Sequence, residues 1–264
     1  MLVIVASPPT FTVVMPAYNA SRTIANAIES LLAQTVPPAE IVVVDDGSTD
    51  STGEIARSFG PPVRTIVQEN AGTAAARNRG LSVASGDVIS FLDADDLYEV
   101  DRLEKIGALF AAEPELEAVA TDAAIETPGS RKLVSSWWPP AANRERLDAS
   151  APIVFCTLAL RRELVAKLGG FKSRYQIVED LEYWYRIGCR RHLVGYVPEP
   201  SYRYLIQEDS KTSTRSSVRG HSEFVAINFS YALAPRTPLH LRARLGVRGL
   251  RHLKHAVVAL VRHR

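Results

Sequence analysis

Between Phe11 and Thr121 the sequence alternates short β-branched runs with stretches whose apolar residues recur at helical spacing. This alternation constrains the fold more than any other feature. A strand that is apolar along its whole length is buried on both faces, and the segments between such strands must supply the helices that cover them. The strand-like runs are Phe11 to Met15, Glu40 to Val44, Val63 to Val67, Asp87 to Leu92 and Leu116 to Thr121. The first helical stretch, Arg22 to Gln34, has Ser21 as N-cap and Ile24, Ile28, Leu31 and Leu32 at helical spacing. Asp50 to Phe59 comes next, closed by Gly60-Pro61-Pro62, then the Ala-rich Thr73 to Ala84, ended by Ser85-Gly86, then Arg102 to Ala112. The pattern predicts an α/β fold, a mostly parallel sheet flanked by helices.

In such sheets ligands bind beyond the carboxyl ends of the strands. Three of the runs end in polar clusters: Pro16-Ala-Tyr-Asn19, Asp45-Asp-Gly-Ser-Thr-Asp50 and Asp93-Ala-Asp-Asp96. Parallel strands would place all three on one edge. The last cluster is the most demanding, because neighbouring carboxylates raise one another's pKa. A divalent cation with a preference for hard oxygen ligands, Mg²⁺ or Mn²⁺, removes that cost. A surface turn with a helix N-cap is the competing reading of the same residues.

The second half is less regular. Arg161 to Leu168 and Glu179 to Arg190 read as helices, and Val194 to Val197 and Tyr202 to Ile206 as strands. Glu126 to Ser150 reads as a long loop with Trp137-Trp138-Pro139-Pro140 in its middle, and Glu208 to Gly220 as a polar, mobile segment. Cys156 and Cys189 lack metal-ligand spacing, which suits a reducing compartment. Met1 to Ala6 is too short for a signal peptide, and no apolar run reaches the length of a membrane span. The net charge of +2 hides an asymmetry. Residues 236–264 hold eight Lys and Arg and no Asp or Glu, so the rest of the chain is acidic.

The ordered motifs are Pro16-Ala-Tyr-Asn, Val44-Asp-Asp-Gly-Ser-Thr-Asp, Asn70-Ala-Gly-Thr-Ala-Ala-Ala-Arg-Asn-Arg-Gly80, Asp93-Ala-Asp-Asp, Gly169-Gly-Phe and Glu179-Asp180. Together they resemble a family 2 glycosyltransferase of the GT-A fold, from about Phe11 to about Ile206. The resemblance implies a Rossmann-like GT-A domain over residues 10–225. Residues 10–122 would form its nucleotide-sugar half and 123–225 its acceptor half, with a basic helical tail over 226–264. It also implies an inverting, metal-dependent transfer from a nucleotide-sugar donor, a UDP-sugar foremost, to the hydroxyl of a glycan or lipid-linked acceptor.

By position in those motifs, Pro16, Ala17, Tyr18 and Asn19 would flank the nucleoside, and Asp46 would accept a hydrogen bond from a base imide. One of Asp45 and Asp46 would instead close an Asx-turn before Gly47. Gly72, Arg77 and Asn78 would approach the diphosphate, with a solvated Arg77 on the helix face as the competing reading. Asp95 would ligate Mn²⁺ or Mg²⁺, Asp93 would reach the ribose or a metal-bound water, and Asp96 would be a structural cap for the next segment. Asp180 would be the catalytic base, with Glu179 the second choice. Arg203, Lys211 and His221 are lid candidates expected to face solvent.

The Gln-x-x-Arg-Trp signature of processive members is absent, which fits the addition of one or a few sugars. A nucleotidyltransferase would show a Gly-rich basic loop where this chain has Pro-Ala-Tyr-Asn. An aspartate-nucleophile phosphatase would need an early Asp pair with a Lys, and a non-catalytic sugar-nucleotide binder would not need the base. In the tail, Leu250, Leu253, Val257, Leu260 and Val261 fall on one helical face and Arg244, Arg248, Arg251, His255 and Arg262 on another. That pattern suits an anionic membrane surface or a docked C-terminal helix, with no nucleic-acid role. The expected location is cytoplasmic, peripheral on the inner face of the membrane.

Overall fold

The computed structural model describes residues 8–127, 129–134, 154–189, 192–206, 218–235, 237, 239, 242–250 and 253. Strands β1 (Phe11–Ala17), β2 (Glu40–Asp45), β3 (Val63–Val67) and β4 (Val88–Phe91) are parallel neighbours in the order β3-β2-β1-β4. Helices α1 (Ile24–Leu32), α2 (Thr52–Ser58) and α3 (Thr73–Leu81) connect them. Helix α1 buries Ile24, Ala27, Ile28 and Leu31 and leaves Leu32 outside. Its N-cap is Thr23 rather than Ser21, because the N–H groups of Thr23 and Ile24 both turn back onto the Ala20 carbonyl.

Helix α3 lies close on the sheet. A Cβ on Gly80 would stand 2.3 Å from Cγ1 of Val14, so only glycine permits this approach. The buried face of α3 is Ala74, Ala76, Arg77 and Gly80. Its small residues bring a single long side chain, that of Arg77, beneath the strand ends.

The second half contributes β5 (Leu97–Tyr98), α4 (Arg102–Ala112), β6 (Ala118–Thr127), β7 (Ser130–Val134), β8 (Leu158–Arg161), α5 (Arg162–Leu168), α6 (Glu179–Cys189), β9 (Val194–Leu205) and α7 (Val218–Leu233). Its strands complete a nine-stranded sheet with mixed directions. Strand β8 is antiparallel to β4 and β6, β9 is parallel to β6, and β5 is antiparallel to β9. An all-parallel arrangement thus belongs to β1–β4, while the second half mixes the parallel β6–β9 pair with antiparallel pairs.

Two expectations change here. The supposed loop from Glu126 begins as a hairpin, in which β6 continues to Thr127 and pairs with β7. The two strands expected around Pro198 and Pro200 are one strand, β9. Pro200 sits at the register shift beside Asp122, where a missing N–H is tolerated. Trp137, Trp138 and Lys211 lie outside the described residues. Arg203 is not a lid residue, since it lies in β9 with its guanidinium on both oxygens of Glu126 at 3.0 and 2.8 Å.

The start of the tail docks on the domain. Residues 242–250 are helical, Leu245 is buried, and Gly249 packs against the Phe229 ring of α7. Among the described residues no helix is long and apolar enough to cross a membrane.

Candidate active site at the carboxyl edge of the sheet

The parallel register puts the ends of β1, β2 and β4 on one edge, with Ala17 opposite Asp45. Asn19, with φ of 49°, clamps the first two loops together. Its N–H donates to Ser48 Oγ at 2.9 Å, and its Oδ1 accepts the N–H of Thr49 at 2.8 Å. Pro16 and Ala17 are buried within β1, whereas Tyr18 is 43% exposed and projects from the edge.

The two adjacent aspartates both bond the chain itself. Asp45 Oδ1 accepts the N–H of Ser48 at 2.9 Å, so it closes the turn over Gly47 with a bond three residues on rather than the two of an Asx-turn. Asp46 Oδ1 accepts from Gln68 Nε2 at 2.7 Å and Ala71 N at 3.0 Å, and its Oδ2 accepts from Gly72 N at 2.8 Å. Asp46 therefore organises the loop into α3 through three of its hydrogen bonds. Gly72 holds φ of 89° at the N-cap of α3, and its N–H is spent on Asp46 rather than offered to a phosphate. Asn78 is likewise internal. It donates to the Phe171 carbonyl at 2.9 Å and accepts from Phe171 N at 2.6 Å, fastening α3 to the Gly169-Gly-Phe turn.

Arg77 departs furthest from expectation. It is 3% exposed, not solvated, and its two terminal nitrogens are committed. Nη2 lies 3.0 Å from Asp93 Oδ1 and Nη1 lies 3.0 Å from Glu179 Oε1. The rings of Phe155 and Phe171 lie beside its guanidinium. Burial opposes its charge, but Asp93 and Glu179 outweigh that penalty and keep it protonated. A side chain expected near the diphosphate thus links the end of β4 to the start of α6.

Glu179 is 6% exposed, and its Oε2 has no hydrogen-bond partner among the described residues. Burial, reinforced by the charge of Asp180 and resisted by Arg77, pushes its carboxyl up to about 7. Asp180, the next residue, is half-buried at the helix end and accepts the N–H of Leu181 at 2.7 Å. Glu179, the second choice of base, faces Arg77 in the interior.

The acidic run after β4 divides its roles. Its backbone is a turn, closed by Asp96 N on the Asp93 carbonyl at 3.1 Å. Asp96 is buried, accepting from Tyr202 Oη at 2.5 Å and Leu205 N at 2.8 Å. Burial, then the charges of Asp93 and Asp95, drive its pKa well above the usual carboxylate range. It is structural, as expected, but its partner is β9 rather than the next helix. Asp93 and Asp95 remain half-exposed.

No group of three or more His, Cys, Asp or Glu side chains able to hold a metal is assembled among the described residues. A donor set of one or two carboxylates is what Mg²⁺ or Mn²⁺ takes when substrate phosphates complete its shell. The half-exposed carboxylates of Asp95 and Asp93 fit that requirement in kind, although Asp93 also meets Arg77 through Oδ1 and the Cys156 thiol through Oδ2.

Several long-range partners had no signal in the sequence. Lys172 and Tyr231 bond the buried Glu182 at 2.5 and 2.8 Å. Of the partners of Glu182 named here, Arg186, at i,i+4 and 3.0 Å, has a spacing that sequence shows.

The family model described as Glycosyl transferase family 2 matches residues 12–169. The chain belongs to glycosyl transferase family 2. The matched span of this family 2 chain takes in the polar strand ends and stops before α6. A relative from Mycobacterium bovis named "PGL/p-HBAD biosynthesis glycosyltransferase" is 31% identical over 180 residues, covering 66% of this chain and 68% of its own length. "Glycosyltransferase GlyA" of Streptococcus pneumoniae is 44% identical over 98 residues, 36% of this chain but only 14% of that protein's length.

Two solved structures share the fold. S. aureus TarS 1-349 in complex with UDP-GlcNAc superposes with a TM-score of 0.74 at 20% identity, covering 92% of this chain and 72% of that one. The mannosyltransferase PcManGT from Pyrobaculum calidifontis, in complex with GDP-Man and Mn²⁺, has a TM-score of 0.67 at 22% identity, covering 97% and 75%.

Proposed function

We propose that this family 2 chain transfers a sugar from a nucleotide-sugar donor to an acceptor hydroxyl, with inversion at the anomeric carbon. The observation that carries the reading is the Asp93–Arg77–Glu179 bridge. It ties Asp93 at the end of β4 to the helix end that carries Asp180, which supports a donor-holding role for the one end and a proton-accepting role for the other. Tyr18, exposed at the edge, would line the nucleoside. Asp95, with Asp93, would hold Mn²⁺ or Mg²⁺, whose chemistry is to neutralise charge on the departing diphosphate.

Asp180 takes the proton of the acceptor hydroxyl as that oxygen bonds to the anomeric carbon. The bond from this carbon to the diphosphate oxygen breaks, and its electron pair leaves with the nucleoside diphosphate. UDP-sugars are the first donors to test, by likeness to the TarS complex, and GDP-sugars the second, by likeness to PcManGT. Incubation with a panel of nucleotide sugars, Mn²⁺ and lipid-linked or free glycan acceptors is expected to add one sugar mass to an acceptor with one donor. No mass change and no nucleoside diphosphate release with any donor would overturn the reading.

The tail supports a lipid-linked acceptor. Leu250 and Leu253 are 58% and 44% exposed at the start of a segment rich in arginine. This face rests on an anionic membrane surface, which favours apolar side chains flanked by cations. Leu250→Ser with Leu253→Ser is expected to weaken binding to phosphatidylserine-containing vesicles severalfold. Unchanged binding, or none in the unaltered protein, makes the tail structural.

A further inference from the structure

Helix α6 opens with Glu179, Asp180 and Glu182 in its first turn. A helix N-terminus offsets such acids by only about 1 kcal/mol, so three of them need further anchoring. Arg77 answers Glu179. Lys172 answers Glu182 through Oε1 at 2.5 Å, and Arg186 lies 3.0 Å from its Oε2 without hydrogen-bond alignment. The segment that leads into α6 is held from a different element.

That element is α7. Glu223 Oε2 accepts the N–H of Gln176 at 3.1 Å and of Ile177 at 3.0 Å, the residues just ahead of the helix. Amides before a helix start have no acceptor in its ladder, and a carboxylate taking two of them sets the direction of entry. Further along α7, Tyr231 donates its hydroxyl to Glu182 Oε1 at 2.8 Å. Asn228, between them, accepts the Tyr185 hydroxyl at 3.0 Å. Helix α7 therefore grips α6 both at its entrance and on its buried face, with Asp180 between the two grips.

We propose that Glu223 and Tyr231 are positioning residues for Asp180: α7 sets where the proton-accepting carboxylate stands. The proposal rests on the reading of Asp180 as base. Neither side chain is assigned contact with donor or acceptor. A displacement of about 1 Å at a reacting group can cost on the order of a hundredfold in rate, so loosening one grip has a measurable effect.

The test uses the full chain with Glu223→Gln and Tyr231→Phe, each in the native and in the Asp180→Asn background. Gln keeps one acceptor oxygen and turns an NH₂ towards donors, and Phe removes a single hydroxyl, so both variants preserve shape. Each is expected to lower kcat about tenfold while donor KM and UDP affinity stay within about twofold. In the Asp180→Asn background the same substitutions are expected to change the residual rate less than about twofold, because residues acting through one group are not additive. Unchanged kcat in both variants, or equal fold-losses in the two backgrounds, would overturn the proposal. Asp180→Asn that keeps full turnover would remove the base assignment and the proposal with it. An impaired Asp180→Asn beside an unimpaired Glu223→Gln and Tyr231→Phe would remove the positioning role alone.

Discussion

Replacing Asp180 by Asn is expected to lower sugar transfer by roughly 10²–10⁴-fold while nucleotide-sugar affinity stays within about twofold. Asn keeps the size of the side chain and an oxygen for the Leu181 N–H, which Asp180 accepts at 2.7 Å. It cannot take a proton from a hydroxyl. The neighbouring carboxylate, Glu179, is buried with one oxygen on Arg77 at 3.0 Å. The effect therefore falls on kcat and leaves the donor site, at the other end of the Arg77 bridge, intact. Turnover near that of the unaltered protein would move the base elsewhere on the edge.

Arg77→Met is expected to destabilise the fold by about 3–5 kcal/mol, the range for breaking a buried ion pair from one side. Met fills much of the same volume between Phe155 and Phe171 but leaves Asp93 and Glu179 without their shared cation. The loss depends on pH with a definite sign. Burial and Asp180 hold the folded Glu179 carboxyl at about 7, above its ordinary value of 4.5, even against Arg77. Stability from this group is complete at low pH and is lost as pH rises from 4.5 through about 7. Without Arg77 the folded value moves higher still, so the loss continues further up the scale. Urea unfolding should show a wider gap between the two proteins at pH 8 than at pH 5. An equal gap, or a wider one at pH 5, would mean that Arg77 does not stabilise the Glu179 carboxylate.

The architecture of the first half was legible because its signals are local. β-branched runs such as Glu40 to Val44 and the apolar spacing of Ile24, Ile28 and Leu31 need no distant partner to be recognised. The strand-end clusters were legible for the same reason. Their individual roles were not, since they depend on residues far along the chain. Asp46 bonds Gln68, Ala71 and Gly72, and Asp96 bonds Tyr202 and Leu205.

Arg77 misled for a different reason. An arginine on an Ala-rich helix ordinarily faces water, and its burial rests on two carboxylates, one of them 102 residues away. In the second half, Pro198 and Pro200 suggested a break that the bulge beside Asp122 absorbs. The charged hairpin of Glu126 and Arg131 lacks the apolar alternation that marks a strand.

The central claim is that the carboxyl edge of the sheet binds a nucleotide-sugar donor through its diphosphate and a cation held by Asp95 and Asp93. Calorimetric titration of UDP, GDP and TDP into the protein, with and without Mn²⁺, tests it most directly. Binding of one nucleotide is expected with Mn²⁺, with at least about tenfold weaker binding without the ion and the same weakening in Asp95→Asn. Absence of binding by all three in the presence of Mn²⁺, or binding indifferent to both the ion and Asp95, would contradict it.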